Sequence, residues 1–156
     1  LSSKKNRPEK NAQDAARDIY RVLDANVNRA KEGLRVCEDI ARFCLKDACL
    51  TRRLRHLRHA VTKILKSSRV DRMKMILERK SAEDPGRAFA NKTTKHSTAH
   101  LFLANIQRTK EALRVLEEFL KLLDNRASRK IQETRFDTYE LEKTTLKKFP
   151  SLLDPR

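Results

Sequence analysis

Glycine is almost absent from this chain: only Gly33 and Gly86 occur in 156 residues. Walker-type loops and dinucleotide fingerprints need several glycines close together so that phosphates can approach backbone N–H donors, and both are excluded. Tryptophan is missing and aromatics reach only 5%, which leaves few platforms for stacking nucleic-acid bases. The three cysteines, Cys37, Cys44 and Cys49, form an odd set without C-x-x-C spacing, so packed thiols in a reducing compartment are expected rather than disulfides or a zinc site. No apolar run approaches the ~18 residues of a membrane span, and residues 1–8 lack the apolar stretch of a signal peptide. A soluble, cytoplasmic protein without membrane association is expected.

Positive charge, by contrast, is abundant. Lys and Arg number 37 against 21 Asp and Glu, a formal net charge of +16 that raises the prospect of a polyanionic partner. Its position narrows that prospect. Residues 51–80 hold eleven Lys/Arg against Asp71 and Glu78, whereas residues 25–45 and 104–123 each carry four basic and three acidic groups.

Apolar residues recur as Leu23, Val27, Ala30, Leu34, Cys37, Ala41 and Cys44, the steps of three and four that an α-helix requires. This first helix is expected from about Asp14 to near Asp47. A second fits Thr51 as N-cap and runs to the Ser67-Ser68 break; a third fits Ser97 or Thr98 and runs to Leu123; a fourth fits Ser128 and ends before Pro150. No segment reads as a strand. A short helix over Met73, Met75 and Ile76 suits the connection.

Self-similarity is the strongest internal signal. Residues 25–39 and 104–118 align without a gap at nine identities in fifteen, and Arg58 aligns with Arg135 after a two-residue shift. The predicted fold is all-α: an antiparallel helical bundle built from two duplicated helix hairpins related by a pseudo-two-fold. The expected layout is a basic disordered tail over 1–13, one helical domain over 14–148 (hairpin one 14–66, connection 67–96, hairpin two 97–148) and a tail over 149–156.

The polar residues shared by the copies fall into two groups. Glu32, Arg35, Asp39 and Arg42, with Glu111, Arg114, Glu118 and Lys121, alternate in sign at helical spacing and suit an exposed ion-pair ladder. Asn26 and Arg29, repeated as Asn105 and Arg108, flank an apolar strip beside a missing side chain at Gly33 and a methyl at Ala112. A guanidinium placed there needs an acidic partner, either a carboxylate across the bundle or a ligand phosphate. In the connection, Asp84-Pro85-Gly86 forms a turn that could present Asp84 to Mg²⁺ or be a plain surface turn. His56 with His59 and His96 with His100 have helical spacing, but no third and fourth zinc ligand is evident.

Residues 23–39, Leu57-Arg58-His59, the Asp84-x-Gly86 turn, residues 104–118 and Arg135-Phe136-x-x-Tyr139-x-Leu141-Glu142 together resemble one family over roughly residues 17–146. It is the all-helical hydroxymethylpyrimidine-phosphate kinase family of thiamine biosynthesis, which also occurs as an N-terminal domain of thiamine-phosphate synthases. The resemblance implies transfer of the ATP γ-phosphoryl group to a pyrimidine monophosphate with Mg²⁺, and association with thiamine-phosphate synthase. Without glycine to expose the backbone, phosphate binding must fall on side chains, for which Arg offers a bidentate fork. Arg29 and Arg108 are therefore expected as phosphate ligands and Asn26 and Asn105 as orienting groups. Glu32 or Glu111 and Asp84 are candidates for Mg²⁺. Arg58, Arg79 and Arg135 are expected at secondary phosphate contacts, and Arg35, Arg114, His59 and Tyr139 complete the candidate substrate-binding set. A basic nucleic-acid-binding module and a non-catalytic dimerisation or scaffold bundle are the competing readings; a homodimer is left open.

Overall fold

The computed structural model describes residues 7–80, 82 and 97–153, with side chains from residue 13 onward. The described residues are helical, without strands: α1 spans Arg7–Asp39, α2 Ala48–Ser67, α3 Arg72–Leu77, α4 Thr98–Leu120 and α5 Asn125–Lys148. A π-helical turn over Ile40–Cys44 ends α1, and a 3₁₀ turn over Pro150–Leu152 follows α5.

Four boundaries differ from those expected. Helix α1 begins at Arg7 rather than near Asp14, so residues 7–13 are helical, while residues 1–6 of the expected tail lie outside the described residues: good helix formers such as Gln13, Ala15 and Ala16 extend the helix beyond its apolar stripe. Asp47 lies at the start of α2, not at the end of the first helix, and its carboxylate accepts from the Leu50 N–H at 2.9 Å. Asp124 does the same for α5 with the Arg126 and Ala127 N–H groups, so Thr51 and Ser128 are interior residues rather than caps. Of the segment expected as a tail over 149–156, Leu152 is buried in the core, and residues 154–156 lie outside the described residues. At α4 the cap is Ser97, one of the two residues expected there, and its hydroxyl oxygen accepts from the His100 N–H at 3.2 Å.

Helix α1 packs chiefly on α4, each forms a hairpin with the helix that follows it, and α2 meets α5 to close the bundle. Helices α1 and α4 run antiparallel: Gly33 lies against Asn105 and Thr109, while further along α1 the Cys37 thiol reaches the earlier Phe102 carbonyl at 3.6 Å. The core divides into two apolar clusters. One contains Leu23, Ala30, Leu113, Leu116 and Ile131, the other Leu34, Leu54, Phe102, Ile106 and Leu141. The division falls where α1 and α4 are in tight contact, at Gly33 and the buried Thr109, whose hydroxyl donates to the Asn105 carbonyl at 2.9 Å.

Each hairpin is also pinned by a buried carboxylate. Glu38 accepts from Arg55 Nε at 2.9 Å and Arg58 Nε at 3.0 Å; Glu117 accepts from Arg135 Nε at 2.8 Å, Arg114 Nη1 at 2.9 Å and Gln132 Nε2 at 3.1 Å. Burial raises the Glu38 pKa, but the Arg55 and Arg58 hydrogen bonds outweigh it and hold the carboxyl below its ordinary range. The cap carboxylates Asp47 and Asp124 are likewise lowered, first by helix N–H donors. Of the cysteines only Cys37 is packed; burial, then the Glu142 charge, pushes its thiol up to about 12, whereas Cys44 and Cys49 are exposed. No described helix is long and apolar enough to cross a membrane.

A Cβ at Gly33 would stand 2.5 Å from Thr109 Oγ1 and 2.8 Å from the Asn105 carbonyl oxygen. Gly33→Ala should therefore lower the thermal midpoint by circular dichroism, because the clash with backbone outweighs the ~1 kcal/mol helix propensity that alanine adds. Glu117→Ala strands Arg135, which is 8% exposed, and should cost about 3–5 kcal/mol in urea unfolding. Glu38→Ala should cost less, because Arg55 and Arg58 can turn to solvent. Since Glu38, Asp47 and Asp124 all titrate lower in the folded protein, the unfolded chain binds more protons in acid. Their stabilisation is full above pH ~5 and should fall as pH drops through the carboxylate range, with a shallower fall in Glu38→Gln.

Candidate functional site

The strip that the two sequence copies share lies on the facing sides of α1 and α4. Asn26 and Asn105 are both buried, and each spends its amide N–H on the carbonyl one turn back: Asn26 Nδ2 donates to Val22 and Asn105 Nδ2 to Leu101, both at 2.8 Å. Each Oδ1 is left as an acceptor. One turn along, Arg29 and Arg108 are exposed, and among the described residues neither is ion-paired. Another turn brings Glu32 and Glu111; Glu111 accepts from Gln107 Nε2 at 2.8 Å. These six residues line one cleft of about 510 Å³, with Gly33 and Ala112 among its walls. Small residues at 33 and 112 let the helices approach and leave the longer polar side chains around the opening.

A second cavity of about 590 Å³ shares Asn26 and Arg29 with the first and lies between α1 and the residues after α3. Arg79 reaches across it to α1 and donates two hydrogen bonds to Asp24, Nε to Oδ2 and Nη2 to Oδ1, both at 2.7 Å. That pairing pushes the Arg79 pKa above its ordinary value.

The remaining predicted residues are placed elsewhere or are already engaged. Arg35 pairs with Asp39 at 3.3 Å and with Glu38 at 3.6 Å, and Arg114 with Glu117 and Glu118, which places the ladder partly over the buried carboxylates. Arg58 and Arg135 hold Glu38 and Glu117, and Arg135 also donates to the Tyr139 hydroxyl at 3.1 Å. His59 is exposed on α2. Asp84 and His96 lie outside the described residues, and among those described no group of three or more His, Cys, Asp or Glu is placed to hold a metal ion. Sequence reasoning missed the anchoring role of Glu38 and Glu117, although both close the repeated motif and Arg58 and Arg135 repeat with them. It also missed Asp24 as the partner of Arg79, and nothing in the spacing of the two residues could have signalled that contact.

The ThiD2 family model matches residues 21–144. The chain is 36% identical over 126 residues to a thiamine-phosphate synthase of Rhodopirellula baltica, covering 80% of this chain and 33% of that protein. It is 35% identical over 126 residues to that of Thermosynechococcus vestitus, covering 80% and 34%, and 37% identical over 130 residues to that of Parasynechococcus marenigrum, covering 82% and 36%. The chain thus spans about a third of the length of these curated relatives. No solved structure gives a significant match. With four-fifths of its length inside one family pattern, and that pattern running through the cleft-lining strips of α1 and α4, the chain belongs to the ThiD2 family, the all-helical hydroxymethylpyrimidine-phosphate kinase family that its sequence resembles.

Proposed function

We propose that the α1–α4 cleft transfers the γ-phosphoryl group of ATP to a hydroxymethylpyrimidine monophosphate, yielding the pyrimidine diphosphate that a thiamine-phosphate synthase consumes. The observation that carries this reading is the pair Arg29 and Arg108: two guanidinium groups in one cleft, without an ion-pair partner among the described residues, while the repeated arginines at 35, 58, 114 and 135 are all engaged by carboxylates. Uncompensated forks facing a cleft suit phosphate oxygens, and they stand in for the backbone cradle that two glycines cannot build.

The rest of the cleft fits the same chemistry. Mg²⁺ commonly uses only one or two protein carboxylates and takes its other ligands from phosphates and water, so Glu32 and Glu111 suffice to hold it, and there it would neutralise charge on the transferring phosphates. Asn26 and Asn105 offer Oδ1 to a ribose hydroxyl, a ring amino group or a metal-bound water. No general base is required, because a phosphate monoester with a second pKa near ~6 is already largely dianionic at neutral pH. Arg29 and Arg108 then do the main work of positioning and charge stabilisation.

Equivalent contacts recur in both halves of the bundle: the Asp47 and Asp124 caps, the Glu38–Arg58 and Glu117–Arg135 pairs, and the matching hydrogen bonds of Asn26 and Asn105. They support descent of the two hairpins from one duplicated unit with an approximate two-fold axis through the α1–α4 contact. The synthase relatives, of which this chain covers one third, support a functional association with thiamine-phosphate synthase.

In a coupled ADP-release assay with the pyrimidine monophosphate, Arg29→Ala and Arg108→Ala should each lower the rate by about a hundredfold or more while leaving the thermal midpoint almost unchanged, since both residues are exposed. Full activity in either folded variant removes the reading. The exposed basic residues of α2, among them Arg52, Lys63 and Lys66, support nucleic-acid binding as a second reading. Fluorescence anisotropy with RNA or DNA tests it, because purely electrostatic affinity should collapse between about 50 and 200 mM salt.

A further inference from the structure

The six polar residues of the α1–α4 cleft pair across it, not along each helix. Helices α1 and α4 run antiparallel, with Gly33 set against Asn105 and Thr109 and Cys37 against Phe102. Counting back from those contacts at equal rise puts Arg29 of α1 level with Glu111 of α4, and Glu32 of α1 level with Arg108 of α4. Asn26 and Asn105 lie one turn outside these levels, at opposite ends. Each half of the cleft thus has one guanidinium, one carboxylate and one amide drawn from both helices, and three residues of helical rise separate the two levels by about 4.5 Å.

At neither level do the opposite charges meet. Among the described residues no ion pair joins Arg29 to Glu111 or Arg108 to Glu32, and Glu111 takes its hydrogen bond from Gln107 instead. An opening that keeps matched charges apart at two levels suits a ligand that carries anionic oxygens, and a cation of its own, at both. The reaction proposed for this cleft has the same two-sided form. When a kinase acts on a hydroxyl, the transferred phosphoryl group has a phosphate on one side only. Here the acceptor is itself a phosphate monoester, so the γ-phosphorus in transfer is flanked by the β-phosphate of the nucleotide and by the phosphate of the pyrimidine.

Resting on the kinase reading above, we infer that the two levels hold those two flanking phosphates, one of the donor and one of the acceptor, and that the transferred phosphoryl group passes between Arg29 and Arg108. An oxygen of the acceptor phosphate forms the new bond to the γ-phosphorus. The bond from that phosphorus to the β,γ-bridging oxygen breaks, and its electron pair leaves on the nucleoside diphosphate. The acceptor dianion has no proton to lose. The minimal ligand of the cleft is therefore a linear triphosphate with a divalent cation, and the chain has one such site to which both sequence copies contribute, not one site per copy.

Isothermal titration of the chain with inorganic tripolyphosphate in Mg²⁺ tests the arrangement. One tripolyphosphate should bind per chain, and a non-hydrolysable ATP analogue and the pyrimidine monophosphate should each displace it. Arg29→Ala and Arg108→Ala should each weaken it about tenfold or more and by similar factors, since each removes one fork. Glu111→Gln should add little to Arg29→Ala, whose level it shares, whereas Glu32→Gln, on the other level, should compound the loss. In the ADP-release assay the two arginine variants should also divide, one raising KM chiefly for the nucleotide and the other chiefly for the monophosphate. Two tripolyphosphates per chain, displacement by only one of the two substrates, or an arginine variant without effect on tripolyphosphate overturns the inference; ADP release by the unaltered protein then leaves the kinase reading standing. An unaltered protein that releases no ADP with the pyrimidine monophosphate removes both.

Discussion

The close approach of α1 and α4 at Gly33 is the contact on which the rest of the structure depends. With no side chain on α1 at that level, the Thr109 hydroxyl and the Asn105 carbonyl fill the space a Cβ would take. The two apolar clusters form on either side of this level. The same approach brings Asn26, Arg29 and Glu32 opposite Asn105, Arg108 and Glu111, so one steric fact organises both the core and the cleft.

Electrostatics then sorts the repeated cations into two classes. Four arginines are consumed by Glu38 and Glu117 and the carboxylates beside them, which ties each hairpin together where an unpaired buried carboxylate would be costly. Arg29 and Arg108 lie on a different strip of the same helices, too far along for those carboxylates, and remain available. A chain of net charge +16 thus has nearly charge-balanced repeat cores, because much of the excess sits in residues 51–80, which do not line the α1–α4 cleft.

Much of this was legible beforehand. Apolar steps of three and four located the main helices, and the alignment of residues 25–39 with 104–118 picked out the strip that forms the cleft. Helix ends were less legible. Asp47 and Asp124 cap α2 and α5 because their carboxylates accept helix N–H donors, while Thr51 and Ser128 bond back to carbonyls instead, and local sequence offers both residue types as caps. The paired roles of Glu38 and Glu117 were hidden for a different reason: they depend on how far Arg58 and Arg135 reach from a neighbouring helix.

By itself, then, the sequence determined that the chain is helical, that residues 25–39 and 104–118 share nine of fifteen positions, and that a glycine-rich phosphate loop is excluded because only two glycines are present. Those properties are local or compositional, so periodicity and counting suffice. Only the tertiary structure decided which repeated arginines are spent on carboxylates and which face a cleft, and that Arg79 is carried from the end of α3 to Asp24 on α1 to wall a second cavity. Those outcomes turn on distances between helices far apart in the chain, and a one-dimensional pattern does not record them.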